Sequence, residues 1–481
     1  MATSFRDPAG QLLSRNGRIF RFVRSSAANE LRIFLSSNTA QEFTDSHRLV
    51  RTEFLDPSSI NSLIRDEDVN NAVEIGDSDV VVEHERIPFP NFPYEWAPEM
   101  LHAAGVLTLN LAEALLREGF GLKDATPYNV LFDGPNPVFI DLLSFEQREP
   151  TDPVWTPYAQ FVRTFLLPLL VNKHFGLQLD QMLITRRDGL EPHDVYRLSS
   201  LSQKIRPEFM TLVSFPNWLG STRSSNREEL YRKRSTSSAE KAQFVLAHLL
   251  KGLRKKLDQV APESKRSSKW SSYMASSEHL KAYFPEKEAL VQAALSLYRP
   301  RMVLDVGCNT GHFSMLAANS GANVVAIDYD PVVIGQVWRR ARDQNVNVLP
   351  LVVDLTRPTP SVGWRNEECP SFLERASGNF DAVFMLAVIH HMLVSERIPL
   401  SRILQLASEI TTDLLIVEFV GPEDEMFRLL TRGRDHLHKD LTRELFETTA
   451  RRFFDIVSSD RLGQSHRWIY VLRKKGVALS A

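Results

Sequence analysis

The stretch V-L-D-V-G-C-N-T-G-H-F-S, Val303 to Ser314, predicts the fold of the half of the chain that contains it. The apolar run from Met302 to Val306 suits a strand that is buried on both faces. Gly307 and Gly311 provide backbone positions where a side chain would obstruct an approaching ligand. A helix is expected to begin behind Gly311 with its free N–H groups directed at the loop. This order of strand, glycine loop and helix indicates a nucleotide-binding unit.

A second apolar run, Val324 to Ile327, ends in Asp328. An acidic residue that follows a second strand about twenty residues after the glycine loop can accept hydrogen bonds from both hydroxyls of a ribose. A glycine loop alone is a weak signal, and the dinucleotide fingerprint G-x-G-x-x-G is absent from this loop. Further motifs are therefore needed to identify the class of nucleotide that this loop would bind.

The pattern Asp305-x-Gly307-x-x-x-Gly311 resembles motif I of the class I methyltransferases that depend on S-adenosyl-L-methionine (SAM). Three further matches follow in order: Asp328 after the second strand, Asp354 in V-V-D-L after the third, and Phe380 to His391 at the fourth strand and its loop. A generic α/β unit with fortuitous acidic residues is the alternative interpretation. Asn309 stands where many members of the family carry glycine, but asparagine tolerates a positive φ.

The resemblance implies a Rossmann-like sheet of seven strands with the last strand antiparallel, and SAM as the cofactor. The alternation of strands and helices after Val303 independently predicts an α/β fold with a mostly parallel sheet. By resemblance, the cofactor is assigned to ten positions at the ends of the first four strands. These positions are Asp305, Gly307, Asn309, Gly311, Asp328, Tyr329, Asp354, Leu355, Leu386 and Ala387.

The catalytic candidates lie after the fourth and fifth predicted strands. Methyl transfer is an in-line displacement, so the protein mainly aligns the acceptor, and a base helps only when the acceptor must lose a proton. His390 and His391 end the fourth strand region, and Glu418 ends the fifth. The alternatives are a supporting role for the histidines and a solvated loop acid for Glu418. No metal site is expected, because no further ligands have suitable spacing.

The methyl acceptor is left open as an oxygen or nitrogen nucleophile on a small molecule, glycan, protein or RNA. Methyltransferases that act on exocyclic or amide nitrogen usually carry N-P-P-Y after the fourth strand, whereas this chain has A-V-I-H-H, Ala387 to His391. An amino or amide acceptor is therefore less expected.

The residues from Trp270 to Leu297 are expected to form lead-in helices. Their aromatic residues could cover the cofactor or simply pack on the sheet; they include Trp270, Tyr273, Tyr283 and Phe284.

The segment from Gly121 to Leu142 contains Asp124, Asn129 and Asp141. Phosphoryl transfer needs an acid that positions a hydroxyl and oxygen ligands that hold magnesium, and this order and spacing would supply them. The segment resembles the catalytic and metal-binding loops of protein kinases and aminoglycoside phosphotransferases. It lacks the usual histidine at Leu122, and no nucleotide-anchoring lysine can be placed upstream. An inactive kinase-like domain is the favoured interpretation; a fortuitous loop and a working phosphotransferase are the alternatives.

Three segments are predicted: an α+β domain over 1–220 for substrate selection or regulation, a linker over 221–269, and a methyltransferase domain over 270–478. The linker is rich in serine and carries thirteen Lys and Arg against five Asp and Glu, a net charge of +8. A solvated linker with one helix, Ala239 to Leu257, is favoured over a basic patch for RNA, because few aromatic residues are interleaved with the charges.

The composition of the chain limits the kinds of protein and of partner that can be expected. The chain has 481 residues and a net charge of −2, so two or three domains and no general attraction to nucleic acid or anionic membrane are expected. Two cysteines and no recognisable secretory signal predict a cytoplasmic protein.

The combination of the kinase-like loop with G-C-N-T-G-H and E-F-V-G-P-E-D resembles a bacterial family that includes nodulation-associated methyltransferases. The alternatives are a phosphotransferase with an ancillary methyltransferase domain and a non-catalytic SAM-binding scaffold; oligomeric state is not predicted.

Overall fold

The computed structural model describes residues 3–4, 7–64, 69, 80–222, 235–263, 267–268 and 278–476. The chain divides into two compact units. The first consists of Met1–Ser264 and Val362–Glu368, and the second of Lys265–Ser361 and Cys369–Ala481. Within the described residues, no helix combines the length and apolar character that crossing a membrane requires. Trp270 and Tyr273 of the predicted lead-in helices lie outside the described residues.

The first unit contains a five-stranded antiparallel sheet in the order β1-β2-β3-β5-β4 and two two-stranded sheets, β6-β9 and β7-β8. Asn16 and Gly17 both have positive φ, as the tight turn between β2 and β3 requires. One face of the large sheet is apolar. The strands are β1 Thr3–Ser4, β2 Gly10–Arg15, β3 Arg18–Val23, β4 Thr52–Phe54, β5 Val80–His84, β6 Phe120–Leu122, β7 Val130–Asp133, β8 Asn136–Phe139 and β9 Phe145–Gln147. The buried apolar cluster consists of Leu13, Phe20, Phe22, Val69 and Val81.

The helices of the first unit follow and flank these sheets, which confirms the α+β class predicted for the N-terminal half. Two π-helical turns, Val162–Leu166 and Met210–Ser214, separate pairs of α-helices. The α-helices are α1 Ser25–Leu35, α2 Asn38–Asp45, α3 Pro57–Ile64, α4 Pro98–Arg117, α5 Tyr158–Phe161, α6 Leu167–Phe175, α7 Leu179–Leu183, α8 Pro192–Leu198, α9 Leu201–Lys204, α10 Pro207–Phe209, α11 Phe215–Thr222 and α12 Ala239–Gln259. Short 3₁₀ turns lie at Pro93–Glu95, Pro127–Asn129 and Leu142–Ser144.

The helix predicted within the basic segment is present as α12, but it is packed rather than solvated. Its apolar side is buried, and the guanidinium group of Arg254 donates to Asn110 (2.8 Å) and Glu113 (3.0 Å) on α4. This helix therefore belongs to the core of the first unit. Residues 223–234, 264–266 and 269 of the predicted linker lie outside the described residues.

The second unit contains the seven-stranded sheet predicted from the sequence, in the order β12-β11-β10-β13-β14-β16-β15. The first five strands in this order pair in parallel, and β16 is antiparallel to both β14 and β15. The carboxyl ends of five neighbouring strands therefore lie at one edge, where ligands bind in such sheets. The strands are β10 Met302–Val306, β11 Asn323–Asp328, β12 Val348–Val352, β13 Phe380–Met385, β14 Thr411–Val420, β15 Phe454–Arg461 and β16 Arg467–Lys474.

The helices of the second unit connect these strands. They are α13 Glu278–Tyr298, α14 His312–Asn319, α15 Pro331–Gln344, α16 Phe372–Ala376, α17 Ile389–Val394, α18 Leu400–Ile410, α19 Glu425–Thr431 and α20 Arg443–Ala450, with a 3₁₀ turn at Asp435–His438. The 3₁₀ turn Trp364–Asn366 belongs to the first unit. Helix α13 is the predicted lead-in helix. Its Phe284 ring lies against the rings of His312 and Phe313 at the start of α14, with centroids 4.8 and 5.7 Å apart. The lead-in helix is thus packed beside the glycine loop.

Candidate active site

The loop after β10 has the backbone conformation that its glycines predicted. Gly307, Asn309 and Gly311 have φ values of 67°, 47° and 77°, so the asparagine adopts the left-handed conformation expected of it. The backbone N–H groups of Gly307 and Cys308 both donate to the carbonyl of Ile327, at 2.8 and 3.0 Å. The loop is therefore fastened to the end of β11.

The structure gives a packing reason for glycine at both positions, beside the ligand approach predicted from the sequence. A Cβ on Gly307 would lie 2.4 Å from Cγ2 of Val388, and a Cβ on Gly311 would lie 2.9 Å from Cγ2 of Val337. The side chains of Val388 and Val337 therefore leave no room for a Cβ at these two positions. Close packing of neighbouring elements, together with positive φ, thus explains both glycines.

Two buried carboxylates flank this loop. Oδ2 of Asp305 accepts a hydrogen bond from the Ser314 hydroxyl at 2.6 Å. The two oxygens of Asp328 accept backbone N–H groups of Asn309 (3.1 Å) and Asp330 (3.0 Å). Burial raises the pKa of Asp305 to about 6 and that of Asp328 to about 6, although these hydrogen bonds partly oppose the increase. Both groups consequently titrate nearer to neutral pH than ordinary carboxyls.

The chemistry of these donors and acceptors fits the nucleoside part of SAM. Each oxygen of a carboxylate can accept about two hydrogen bonds, so Asp328, which accepts backbone N–H groups of Asn309, Tyr329 and Asp330, retains capacity for a ribose hydroxyl. Tyr329 is half exposed directly after it, and Leu355 is buried after β12. Oδ1 of Asp354 accepts the backbone N–H (2.9 Å) and hydroxyl (2.6 Å) of Thr356, which fixes the carboxylate at the edge of the sheet.

The turn after β13 has an unusual backbone. Leu386 is buried, and Ala387 has a φ of 59°, a left-handed conformation that costs a residue with a Cβ about 1 to 2 kcal/mol. This turn brings Val388 against Gly307. The strained turn thus joins the glycine loop to the start of α17, where the two histidines lie.

His390 is buried, with 4% of its surface exposed, and its ring centroid lies 4.3 Å from that of the half-buried His391. Among the residues that the structure describes, Nδ1 of His390 has no hydrogen-bond partner. Burial, together with the positive charges of the neighbourhood, lowers the pKa of His390 well below its ordinary value. The imidazole is therefore neutral at physiological pH, with a buried polar atom that no described residue satisfies.

Glu418 lies within a network of four buried charges. Its carboxylate accepts hydrogen bonds from Nζ of Lys287 (2.5 Å) and from Nη1 of Arg467 (3.1 Å). Arg467 also binds Asp424 with two hydrogen bonds, of 2.8 and 3.0 Å. Glu418 has 0% of its surface exposed, so the alternative that it is a solvated loop acid was wrong. Its catalytic role stays a prediction.

Sequence reasoning did not select Lys287 or Arg467. A signal for the lysine was present, because Tyr283, Lys287 and Val291 recur at helical spacing and all three are buried on one side of α13. Arg467 begins β16 and lies on the same side of the strand as Ile469. The spacing indicates that Lys287 is buried but does not reveal its partner, and Arg467 carries no comparable signal.

In the first unit, the structure brings Asn129 and Asp141 together through Ser144. The Ser144 hydroxyl donates to Asp141 at 2.5 Å and accepts from the Asn129 amide at 3.0 Å. Asp141 also forms an ion pair with Arg21 of β3, at 2.7 Å. Burial opposes ionisation of Asp141, but Arg21 and Ser144 outweigh it and hold the carboxyl pKa below its ordinary value. Arg21 is a partner that sequence reasoning missed.

The Asp124 carboxylate accepts a hydrogen bond from the side-chain amide of Gln160 at 3.2 Å, and the backbone carbonyl of Asp124 accepts from the Asn129 amide at 3.5 Å. Across the described parts of the chain, no group of three or more His, Cys, Asp or Glu side chains is arranged to hold a metal ion. Asp141 already has a cationic partner, so the described donors do not fit the magnesium ion that phosphoryl transfer would need.

Comparisons with known proteins match a part of the second unit and also nearly the whole chain. Residues 304–405 match the family described as Methyltransferase domain. Nodulation protein NoeA of Rhizobium meliloti (strain 1021) is 30% identical over 481 residues, covering 98% of this chain and 96% of NoeA. The O-antigen chain terminator bifunctional methyltransferase/kinase WbdD of Escherichia coli is 30% identical over 159 residues, which are 32% of this chain but 19% of WbdD. Among solved structures, N-methyltransferase NodS from Bradyrhizobium japonicum WM9 has a TM-score of 0.30 at 16% identity, covering 40% of this chain and 96% of NodS.

Proposed function

Because the chain belongs to the family of the nodulation protein NoeA and contains a methyltransferase domain, we propose that it methylates an acceptor bound beside His390 and His391. The chain is a SAM-dependent methyltransferase, as motif I predicted, and SAM is its cofactor. The acceptor site, the catalytic residues and the finer enzyme class belong to this proposal. A cytoplasmic location stays a prediction from the sequence.

One observation carries the proposal: cofactor and acceptor candidates share one edge of the sheet. Asp305 lies near the carboxyl end of the buried strand β10, Asp328 ends β11, and His390 follows β13, which pairs with β10. Burial, the largest effect in both cases, raises the pKa of Asp305 and lowers that of His390. The positive charge of Lys287 lowers both pKa values. A single ammonium group is therefore within electrostatic reach of the two halves of the site.

The roles of the chain's own residues follow from this arrangement. Bound SAM supplies a methyl group on a sulfonium centre. Asp328 accepts ribose hydroxyls, and the residues after β12 and β13 line the adenine side. His390 or His391 orients the acceptor and takes its proton where one must be lost, a contribution that is typically about 10²- to 10⁴-fold. Glu418 fixes the surroundings of this site through Lys287 and Arg467. We further propose that the first unit selects or regulates the substrate.

The function can be tested with the full chain in two steps. The first step is calorimetric titration with SAM and with its demethylated product. Asp328→Asn is expected to weaken binding about 10- to 100-fold, since it removes charge-assisted hydrogen bonds. Asp343→Asn, a change on the exposed side of α15, is the matched control and should bind like wild type.

The second step is incubation with methyl-labelled SAM and fractionated cell extract. Label in one class of component supports the proposal. SAM binding without label in any fraction would instead support the non-catalytic scaffold. ATP turnover that disappears in Asp141→Ala would support the phosphotransferase.

A further inference from the structure

The acceptor side of the candidate site has matched charges. Lys287 and Arg467 contribute two cations, and Glu418 and Asp424 contribute two anions, each in contact with an opposite charge. All four side chains are almost completely buried. The network is thus electrically balanced without a ligand.

This balance argues against a charged acceptor. A carboxylate or phosphate would need a cation that is not already paired, and an ammonium group would need an unpaired anion. Burying a charge without a partner is strongly unfavourable. Taking Lys287 away from Glu418 to serve a ligand would leave Glu418, which has no exposed surface, with Arg467 as its remaining partner. A neutral acceptor avoids this cost.

His390 offers the complementary polar contact. It is 4% exposed, and Nδ1 has no partner among the described residues. A hydroxyl group both donates and accepts a hydrogen bond, so it satisfies an imidazole nitrogen in either tautomer. A nitrogen without a proton can also take the hydroxyl proton during transfer.

We infer that the acceptor is an uncharged alcohol and that His390 hydrogen-bonds its hydroxyl group. This inference rests on the proposed function. In the reaction, the hydroxyl oxygen forms a bond to the methyl carbon and the bond from that carbon to sulfur breaks with its electron pair left on sulfur. The hydroxyl proton passes to His390. The products are a methyl ether and the neutral thioether of the cofactor. The absence of N-P-P-Y after β13 agrees with oxygen as the nucleophile.

The chemistry of the product tests the inference separately from the function. Extract labelled by the full chain with methyl-labelled SAM is treated with mild alkali and then hydrolysed in acid. A methyl ether keeps its label through alkali, whereas a carboxyl ester releases labelled methanol, and a methylated amine is recovered as a base after acid hydrolysis. Alkali-stable label on a neutral compound supports the inference. Label in an ester or an amine overturns the inference about the acceptor but still supports the proposed methyltransferase function. Absence of label from every fraction overturns the proposed function and the inference together.

Variants of His390 test its contact with the acceptor, with the labelled neutral fraction as substrate. His390→Leu is expected to lower kcat about 10²- to 10⁴-fold. His390→Asn keeps a polar atom near the position of Nδ1, so it should restore KM but not kcat, and it should flatten the pH profile of kcat. Binding of the demethylated cofactor should stay within about twofold in both variants, as in the control His436→Gln on an exposed turn. Equal loss of cofactor binding and activity in the leucine and asparagine variants would indicate a purely structural histidine and overturn the assignment.

Discussion

The ammonium group of Lys287 lies 2.5 Å from a carboxylate oxygen of Glu418, and both side chains are buried. This ion pair joins the lead-in helix α13 to the fifth strand, β14, next to the candidate acceptor site. The pairing of these two residues was not anticipated from the sequence.

Lys287→Met should destabilise the protein by about 3 kcal/mol or more, because it leaves a buried carboxylate with one cationic partner fewer. The measurement is the free energy of unfolding in urea. The double variant Lys287→Met with Glu418→Gln should recover part of the loss, since no uncompensated charge remains. Lys439→Met, at an exposed position, is the control and should change stability by less than about 0.5 kcal/mol. A loss as small as that of the control would contradict a buried pair.

Gly307→Ala should be more destabilising than Gly321→Ala. Both glycines have positive φ, at 67° and 97°, so both substitutions carry a backbone cost of about 1 to 2 kcal/mol. Only the Cβ at 307 meets another side chain, 2.4 Å from Cγ2 of Val388, which adds about 1 to 3 kcal/mol of overlap. Thermal unfolding of both variants measures the difference.

The double variant Gly307→Ala with Val388→Ala provides the internal check. It removes the overlapping methyl group but not the backbone cost, so its stability should lie above the sum of the two single effects. Strict additivity would show that Val388 is not what excludes a side chain from position 307.

The affinity for SAM should rise with pH between about 5 and 7. Burial raises the pKa of Asp328 to about 6, and the ionised form is the better acceptor for ribose hydroxyls. At pH 5, one unit below that pKa, about one tenth of the carboxyl is ionised, so binding should be up to about tenfold weaker than at pH 7. The gain appears as pH rises through 6 and levels off above 7. Asp305 titrates in the same range and steepens the profile.

Calorimetric titration of SAM at pH 5, 6 and 7 measures this dependence. Asp328→Asn should reduce the slope because one of the two titrating groups is gone, while Asp343→Asn should keep the wild-type profile. If Asp328→Asn left the slope of SAM affinity against pH unchanged, a group other than Asp328 would cause the pH dependence.

Asp141→Asn should weaken the first unit without affecting cofactor binding. Arg21 and Asp141 expose 12% and 25% of their side chains, so loss of this partly buried ion pair should cost about 1 to 3 kcal/mol. The affinity for SAM should equal that of wild type, and titration of wild type with magnesium and ATP should give no binding heat. Asp188→Asn, on an exposed loop of the same unit, is the control. Tight binding of magnesium and ATP to wild type, lost in Asp141→Asn, would restore the phosphotransferase interpretation.

Local sequence was sufficient for the parts of the fold that depend on neighbouring residues. The apolar run before Asp305, the left-handed Asn309 and the alternation of strands and helices each follow from residues close together in the chain. The seven-stranded sheet and its antiparallel last strand followed from the family resemblance that these residues carry, and the structure confirms both.

Contacts between distant residues were the part that could not be predicted. Lys287 and Glu418 are 131 positions apart, and Arg21 and Asp141 are 120 apart. A lysine on the buried side of a helix has no local partner that would reveal its role. The same limit explains why the packing role of Gly307 was missed, because the Val388 side chain that excludes a Cβ belongs to a turn after β13.

The Lys287 ion pair also constrains the order in which the chain can fold during synthesis. Helix α13 leaves the ribosome long before β14 and β16 have been translated, so its lysine has neither Glu418 nor Arg467 nearby at that stage. A lone ammonium group stays hydrated, because burial without a partner is costly. The helix should therefore dock only after the last strands are complete, and a ribosome stalled before residue 418 would carry a second unit whose lead-in helix is not yet packed beside the glycine loop.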